Sequence, residues 1–152
     1  MDELKRKIEE LYDFALNNPE NSYQIVDLVE ISADLAEKIL TATGVDVSGF
    51  TLSIDNYGIL HTLERHGNPV REKARGQLAV TKTDFTRLLD IVNDYDSIRF
   101  DKRAHQNGVF KETFVFMKEL ENSYFVAKEI RRVTKKGKRN RLILQTMYIQ
   151  KK

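Results

Sequence analysis

From Ser97 onward the spacing of apolar residues changes from helical to alternating, which limits the chain to helices first and a sheet after. Ile98 and Phe100 alternate with Arg99 and Asp101, and Asn107-Gly108 is a tight-turn pair. Val109 to Met117, Tyr124 to Val133 and Arg141 to Ile149 read as three further strands. The segments 119–123 and 134–140 between them have hairpin character. Upstream, Leu4, Ile8, Leu11 and Ala15 form a stripe that predicts a helix from Asp2 to about Asn17, broken at Asn17-Asn18-Pro19-Glu20-Asn21. Tyr23 to Ile31 fits either a strand or a buried helical turn. Ser32 caps a helix over Ala33 to Thr43 that Gly44 ends, and Thr51 to Ile54 reads as extended. Asp55 or Asn56 then caps a helix that leaves through Gly67, followed by a polar loop over Asn68 to Gln77. Another helix starts at Thr81, with Asp84 placed as in a capping box, and runs to about Asn93. The expected class is α+β: N-terminal helices followed by a four-stranded antiparallel sheet.

Composition narrows the chemistry. The 152 residues include no cysteine, which excludes disulfides, thiolate zinc sites and cysteine nucleophiles together. No apolar run is long enough to span a bilayer, and the charged N-terminus lacks the apolar core of a signal peptide. A cytosolic protein is therefore expected. Net charge is +2 overall but graded, with −7 over residues 1–50, 0 over 51–100 and +9 over 101–152. Such a gradient suits a C-terminal half that meets a polyanion, and equally a basic face folded against the acidic first helix.

The segment Leu60-His61-Thr62-Leu63-Glu64-Arg65-His66-Gly67 holds two of the three histidines with an arginine between them. On a helix His61 and Arg65 share one face, with Ile59, Leu60 and Leu63 on the buried side and His66 at the border in the last turn. Imidazoles exchange protons near neutral pH, and a guanidinium neutralises phosphoryl oxygens. Two imidazoles and one arginine thus cover three roles in RNA cleavage: base at the 2′-hydroxyl, acid at the departing 5′-oxygen, and charge stabiliser. The competing readings are a surface stretch and a satisfied core histidine. A metal site is disfavoured because no histidine stands four residues from His61 and no carboxylate pair completes a set. His105 reads as a surface residue. In the last strand Thr146 and Tyr148 fall in line with Leu142 and Leu144, as phosphate donors, a base platform or ordinary sheet residues. Lys128 and Arg132 share a face with Tyr124, Val126 and Ile130, so Lys128 is either a site residue or an edge residue whose ammonium reaches water. Lys135, Lys136, Lys138 and Arg139 form a basic tip suited to tracking phosphates.

In order along the chain, Ile54-Asp55, Leu60-His61 with Arg65-His66-Gly67, Arg75-Gly76-Gln77, Thr81 to Phe85 and Gln145-Thr146-Met147-Tyr148 resemble the phage-associated branch of the Barnase–EndoU–colicin–RelE nuclease superfamily. That branch includes domains at the ends of phage MuF-type and polyvalent proteins. The resemblance covers Gly44 to Lys151 and divides the chain into an acidic helical segment, 1–43, and a nuclease domain, 44–152. It implies helices before a four-stranded antiparallel sheet, and a metal-independent ribonuclease without cofactor, often a toxin or host-directed effector. By position it assigns His61, Arg65, His66, Thr146 and Tyr148 to catalysis and Gln77 to substrate binding, where Lys128, Arg132, Lys135 and Lys136 join it. The implied partners are RNA, tRNA among them, and a cognate inhibitor or immunity protein. The implied place of action is the bacterial host cytosol, not a membrane, and oligomeric state is left open. The rival expectations are a non-catalytic module that binds RNA or a host protein on the same scaffold, and a plain protein-interaction domain.

Overall fold

The computed structural model describes residues 3–18, 22–104, 110–132 and 139–152. The Pro19 break, His105, the Asn107-Gly108 turn, Val109, and the basic tip residues Lys135, Lys136 and Lys138 lie outside the described residues.

Helix α1 (Glu3–Asn17) buries Ile8, Leu11 and Ala15, the stripe its spacing predicts. The ambiguous segment resolves to strand β1 (Ile25–Glu30). Helix α2 (Ala33–Thr43) starts where the Ser32 hydroxyl accepts from Leu35 N–H and ends at Gly44, whose φ of 78° is the left-handed turn only glycine adopts freely. Strand β2 (Thr51–Asp55) is buried throughout and runs straight into α3 (Asn56–His66). The expected polar loop instead holds helix α4 (Pro69–Ala74) and the two-residue strand β3 (Gln77–Leu78). Its helix has a local cause: Asn68 Oδ1 accepts from the N–H groups of Val70 and Arg71, and Pro69 occupies the first turn, where no N–H is missed. The helix expected from Thr81 is two short ones, α5 (Lys82–Phe85) and α6 (Leu88–Asn93). The Thr81/Asp84 capping box is present, and Thr86 closes the first piece by donating both N–H and Oγ1 to Thr83 C=O.

Strands β4 (Ser97–Ala104), β5 (Phe110–Glu119), β6 (Ser123–Arg131) and β7 (Arg141–Gln150) form the expected antiparallel block. The sheet is larger than four strands. It has seven among the described residues, in the order β1-β2-β7-β6-β5-β4, with β3 also paired to β7. The expectation failed because β2 and β7, about ninety residues apart, pair in parallel through Thr51–Ser53 and Arg141–Ile143, a non-local contact with no local signature. β1 then adds to the edge of β2. α1 is not separate from this body: Ile8 and Leu11 belong to the same apolar cluster as Ile54, Ile59, Phe85, Phe116 and Met147. Its Tyr12 ring lies 5.7 Å from Phe85, and Asp13 pairs with Lys82 at 2.9 Å.

One irregularity decides which residues of β7 face where. Ala127 pairs with Thr146, but Lys128 pairs with Leu144, so Gln145 is an extra residue, a β-bulge. Leu142 and Leu144 before the bulge, and Met147 and Ile149 after it, all face the core. Thr146 and Tyr148 are therefore out of line with Leu142 and Leu144 and lie on the opposite face, contrary to simple alternation.

Candidate active site

Helix α3 carries the two imidazoles, and its seating is steric. Asp55 Oδ1 accepts from Gly58 N–H at 2.7 Å, closing the first turn. Gly58 then rides directly on β7: a Cβ there would stand 2.4 Å from the backbone oxygen of Leu144. Only a residue without a side chain allows this approach. β2 pairs with Arg141–Ile143 and β3 with Leu78 opposite Ile149, so α3 lies along the stretch of β7 between them.

At one end of that stretch His61 lines a cavity of about 200 Å³ with Tyr57, Lys111, Glu129, Arg131 and Gln145. Burial lowers the His61 pKa below the ordinary imidazole value, and the charges of Arg65, Lys111 and His66 lower it further, against Glu64. At neutral pH its ring is neutral and able to accept a proton. Arg65 projects into solvent from the same helix. Tyr57 is 48% exposed and packs on Tyr23 at 5.4 Å.

At the other end the His66 ring stands 5.5 Å from Tyr148, whose other aromatic neighbour, Phe125 of β6, stacks on it at 4.7 Å and 7°. Aromatic carbon thus meets Tyr148 from two elements, and its hydroxyl, which makes no hydrogen bond to a described residue, is its available end. His66 Nδ1 lies 3.1 Å from Oε2 of Glu72. Glu72 is fully buried and also accepts from Arg75 at 3.2 Å. Accepting from Nδ1–H, this carboxylate fixes the tautomer that leaves Nε2 free. Glu72 was not singled out from sequence. Asn68-Pro69 announces its helix, but the fold-back that brings it to His66 has no sequence period.

The remaining expected residues divide. Thr146 lies beside Tyr148 on the open face, and its Oγ1 is buried without a partner among the described residues. Gln77 pairs in β3 with Gln150, and its Oε1 is likewise buried and unpartnered. Lys128 does not reach this cleft. It is 1% exposed on the core face and donates to Ser53 C=O at 3.0 Å. Burial brings its pKa down to about 7, against the charge of Asp55. Neither a substrate contact nor a side chain reaching water describes it. Arg132 is exposed and ion-paired with Glu112. Lys111, which alternation alone did not single out, takes the place expected of Lys128 as the lysine beside His61. Among the described residues no group of three His, Asp or Glu side chains is set to hold a metal ion.

Residues 30–152 match the family model described as phage-Barnase-EndoU-ColicinE5/D-RelE like nuclease3. The chain belongs to this family. It is a nuclease-like domain, and the family region takes in α2 and the end of β1 as well as everything from Gly44 onward. No curated protein and no solved structure matches the chain. No helix among the described residues is long and apolar enough to cross a membrane.

Proposed function

We propose that this member of the nuclease family is a metal-independent endoribonuclease that cleaves RNA by transesterification. The 2′-hydroxyl attacks the adjacent phosphorus, the bond to the 5′-oxygen breaks, and a 2′,3′-cyclic phosphate remains. His61 is the base, because its burial among cations keeps it neutral and proton-accepting. His66, held by Glu72 through Nδ1, delivers a proton from Nε2 to the departing oxygen. Arg65 and Lys111 offset charge on the phosphoryl oxygens, and the hydroxyls of Tyr148 and Thr146 donate to them. Gln77, in β3 beside the end of β7, supports the strand that bears these hydroxyls. Arg132 and the basic tip with Lys135 and Lys136 add sequence-independent attraction to the RNA backbone. In this reading the protein is a phage- or mobile-element-encoded toxin acting in the bacterial cytosol on RNA, tRNA among the candidates, and restrained by a cognate inhibitor.

The observation that carries the reading is the common seating of both imidazoles against β7, one in a cavity lined by Lys111 and Arg131 with Glu129 and Asp55, the other on a buried carboxylate. The test is incubation with structured RNA in excess chelator, with product ends analysed for cyclic phosphate. A His61→Ala/His66→Ala double variant that cuts as fast as the parent would overturn it. Salt-dependent RNA binding without cleavage, indifferent to both substitutions, would instead support a non-catalytic binding module.

A further inference from the structure

We infer that the sheet carries a nucleobase subsite beside the His61 cavity, centred on Ala127, which takes one unpaired base of a single-stranded RNA. This rests on the ribonucleolytic reading for the identity of the polymer, but the subsite has its own evidence.

Strand register puts Arg99, Val115, Ala127 and Thr146 in one row across β4, β5, β6 and β7 on the face opposite the core. Along β6 the same face carries Phe125 and Glu129 on either side of Ala127. The methyl group of Ala127, between these larger neighbours, lies in a hollow of about 440 Å³. That volume is in the range of small-ligand sites.

The hollow's chemistry matches a base joined to a phosphate. Its floor, Val115 and Ala127, is apolar and suits the flat face of a heterocycle. In its wall Thr146 Oγ1 is buried without a hydrogen-bond partner among the described residues, a cost that a ligand's polar edge would remove. Gln145, raised by the bulge, accepts from Thr113 through Oε1 at 3.5 Å, and its amide N–H groups can donate to a base. The rim is cationic. Arg99, Arg103 and Lys111 line it with Asp101, which holds Arg103 at 2.7 Å, while Glu129 beside Ala127 stands 4.0 Å from Lys111. A guanidinium here can stack on the base or meet the phosphate.

Gln145 and Lys111 line this hollow and the His61 cavity alike, so the two are neighbours on one side of β7. A chain with its reacting phosphate at His61 would bring a neighbouring nucleotide over Ala127.

The experiment compares, at fixed salt, binding of a 2′-O-methylated tetranucleotide with that of a 2′-O-methylated ribose-phosphate chain of equal length lacking bases. Neither can be cut. The parent protein is expected to prefer the base-bearing chain by about tenfold, the effect of one base seated on a surface. Ala127→Ile fills the hollow with a residue better suited to a strand. It should erase the preference while leaving thermal stability equal or higher. Thr146→Val, which replaces the hydroxyl with a methyl group, should reduce the preference and guards against a misfolded Ala127→Ile. Equal binding of both chains by the parent, or a preference that survives in a folded Ala127→Ile protein, overturns the subsite. A protein that cuts RNA yet ignores the bases refutes the subsite alone. One that discriminates bases without producing cyclic phosphate supports the subsite and refutes the endoribonuclease.

Discussion

His66 Nδ1 faces Glu72 Oε2 at 3.1 Å, and the carboxylate that receives it has no exposed surface. A buried carboxylate at this distance sets the ring's orientation and its tautomer together. Glu72→Gln keeps the shape but removes the carboxylate that accepts from Nδ1–H and faces the ring when it carries both protons, the form that donates from Nε2. We expect RNA cleavage to fall by about a hundredfold, within the range of one misplaced general acid. KM should change little, and the limb of the pH–rate profile that belongs to the acid should be altered. A merely structural Glu72 would instead lower thermal stability with an unaltered profile in the folded fraction.

His61 offers a second, independent pH signature. Burial is the main cause of its lowered pKa and would persist in any surface variant, but Arg65 and Lys111 contribute through their charge. Removing either cation favours the imidazolium, so the pKa of His61 rises. For a base that must be deprotonated, the acid limb of kcat/KM then moves to higher pH. Lys111→Met and Arg65→Gln are each expected to move it upward, with the same displacement in an NMR titration of the His61 ring. A downward or absent shift would remove His61 from the role of base.

Gly58 tests whether the seating of α3 matters. A methyl group at this position would fall 2.4 Å from Leu144 O, a backbone atom that cannot turn aside. Gly58→Ala must lift the helix from β7, at a cost of about 1–3 kcal/mol typical of overpacking. Urea unfolding reads the loss. The same variant should draw His66 away from Tyr148 and reduce cleavage beyond what its folded fraction accounts for.

What the residues announced in advance, and what they hid, follows the range of the interactions concerned. The ends of α2 and α3 were legible because Ser32, Gly44 and Asp55 act on neighbours within four positions. Strands β5 to β7 were legible from alternation over stretches of nine or ten residues. The pairing of Thr51–Ser53 with Arg141–Ile143 was hidden, because nothing local in either segment selects its partner. The bulge at Gln145 had a larger consequence, since one extra residue moves Thr146 and Tyr148 to the other side of the sheet. It left Lys128, correctly placed among the inward residues of β6, on the face away from them. His61, His66 and Tyr148 were identifiable by type and order. Glu72 and Lys111 were not, because only the folded chain brings them to the imidazoles.

Lys128 supplies the last prediction. Its ammonium is fully buried, donates to Ser53 C=O, and has its pKa brought down to about 7 from the usual 10.5. Between those values the unfolded chain binds more protons at this position than the folded one, so stability rises with pH through that window. Below about pH 7 both states carry the proton, and the desolvation penalty is felt in full. Lys128→Met keeps the volume and removes the charge, so it should be neutral or stabilising at pH 6, as replacements of buried charges by apolar groups often are. It should also flatten the rise in stability between pH 7 and 10 in urea titrations. Cleavage should stay within about threefold of the parent, because the side chain is buried and does not line His61's cavity. A large loss of activity with stability unchanged would return Lys128 to the substrate site.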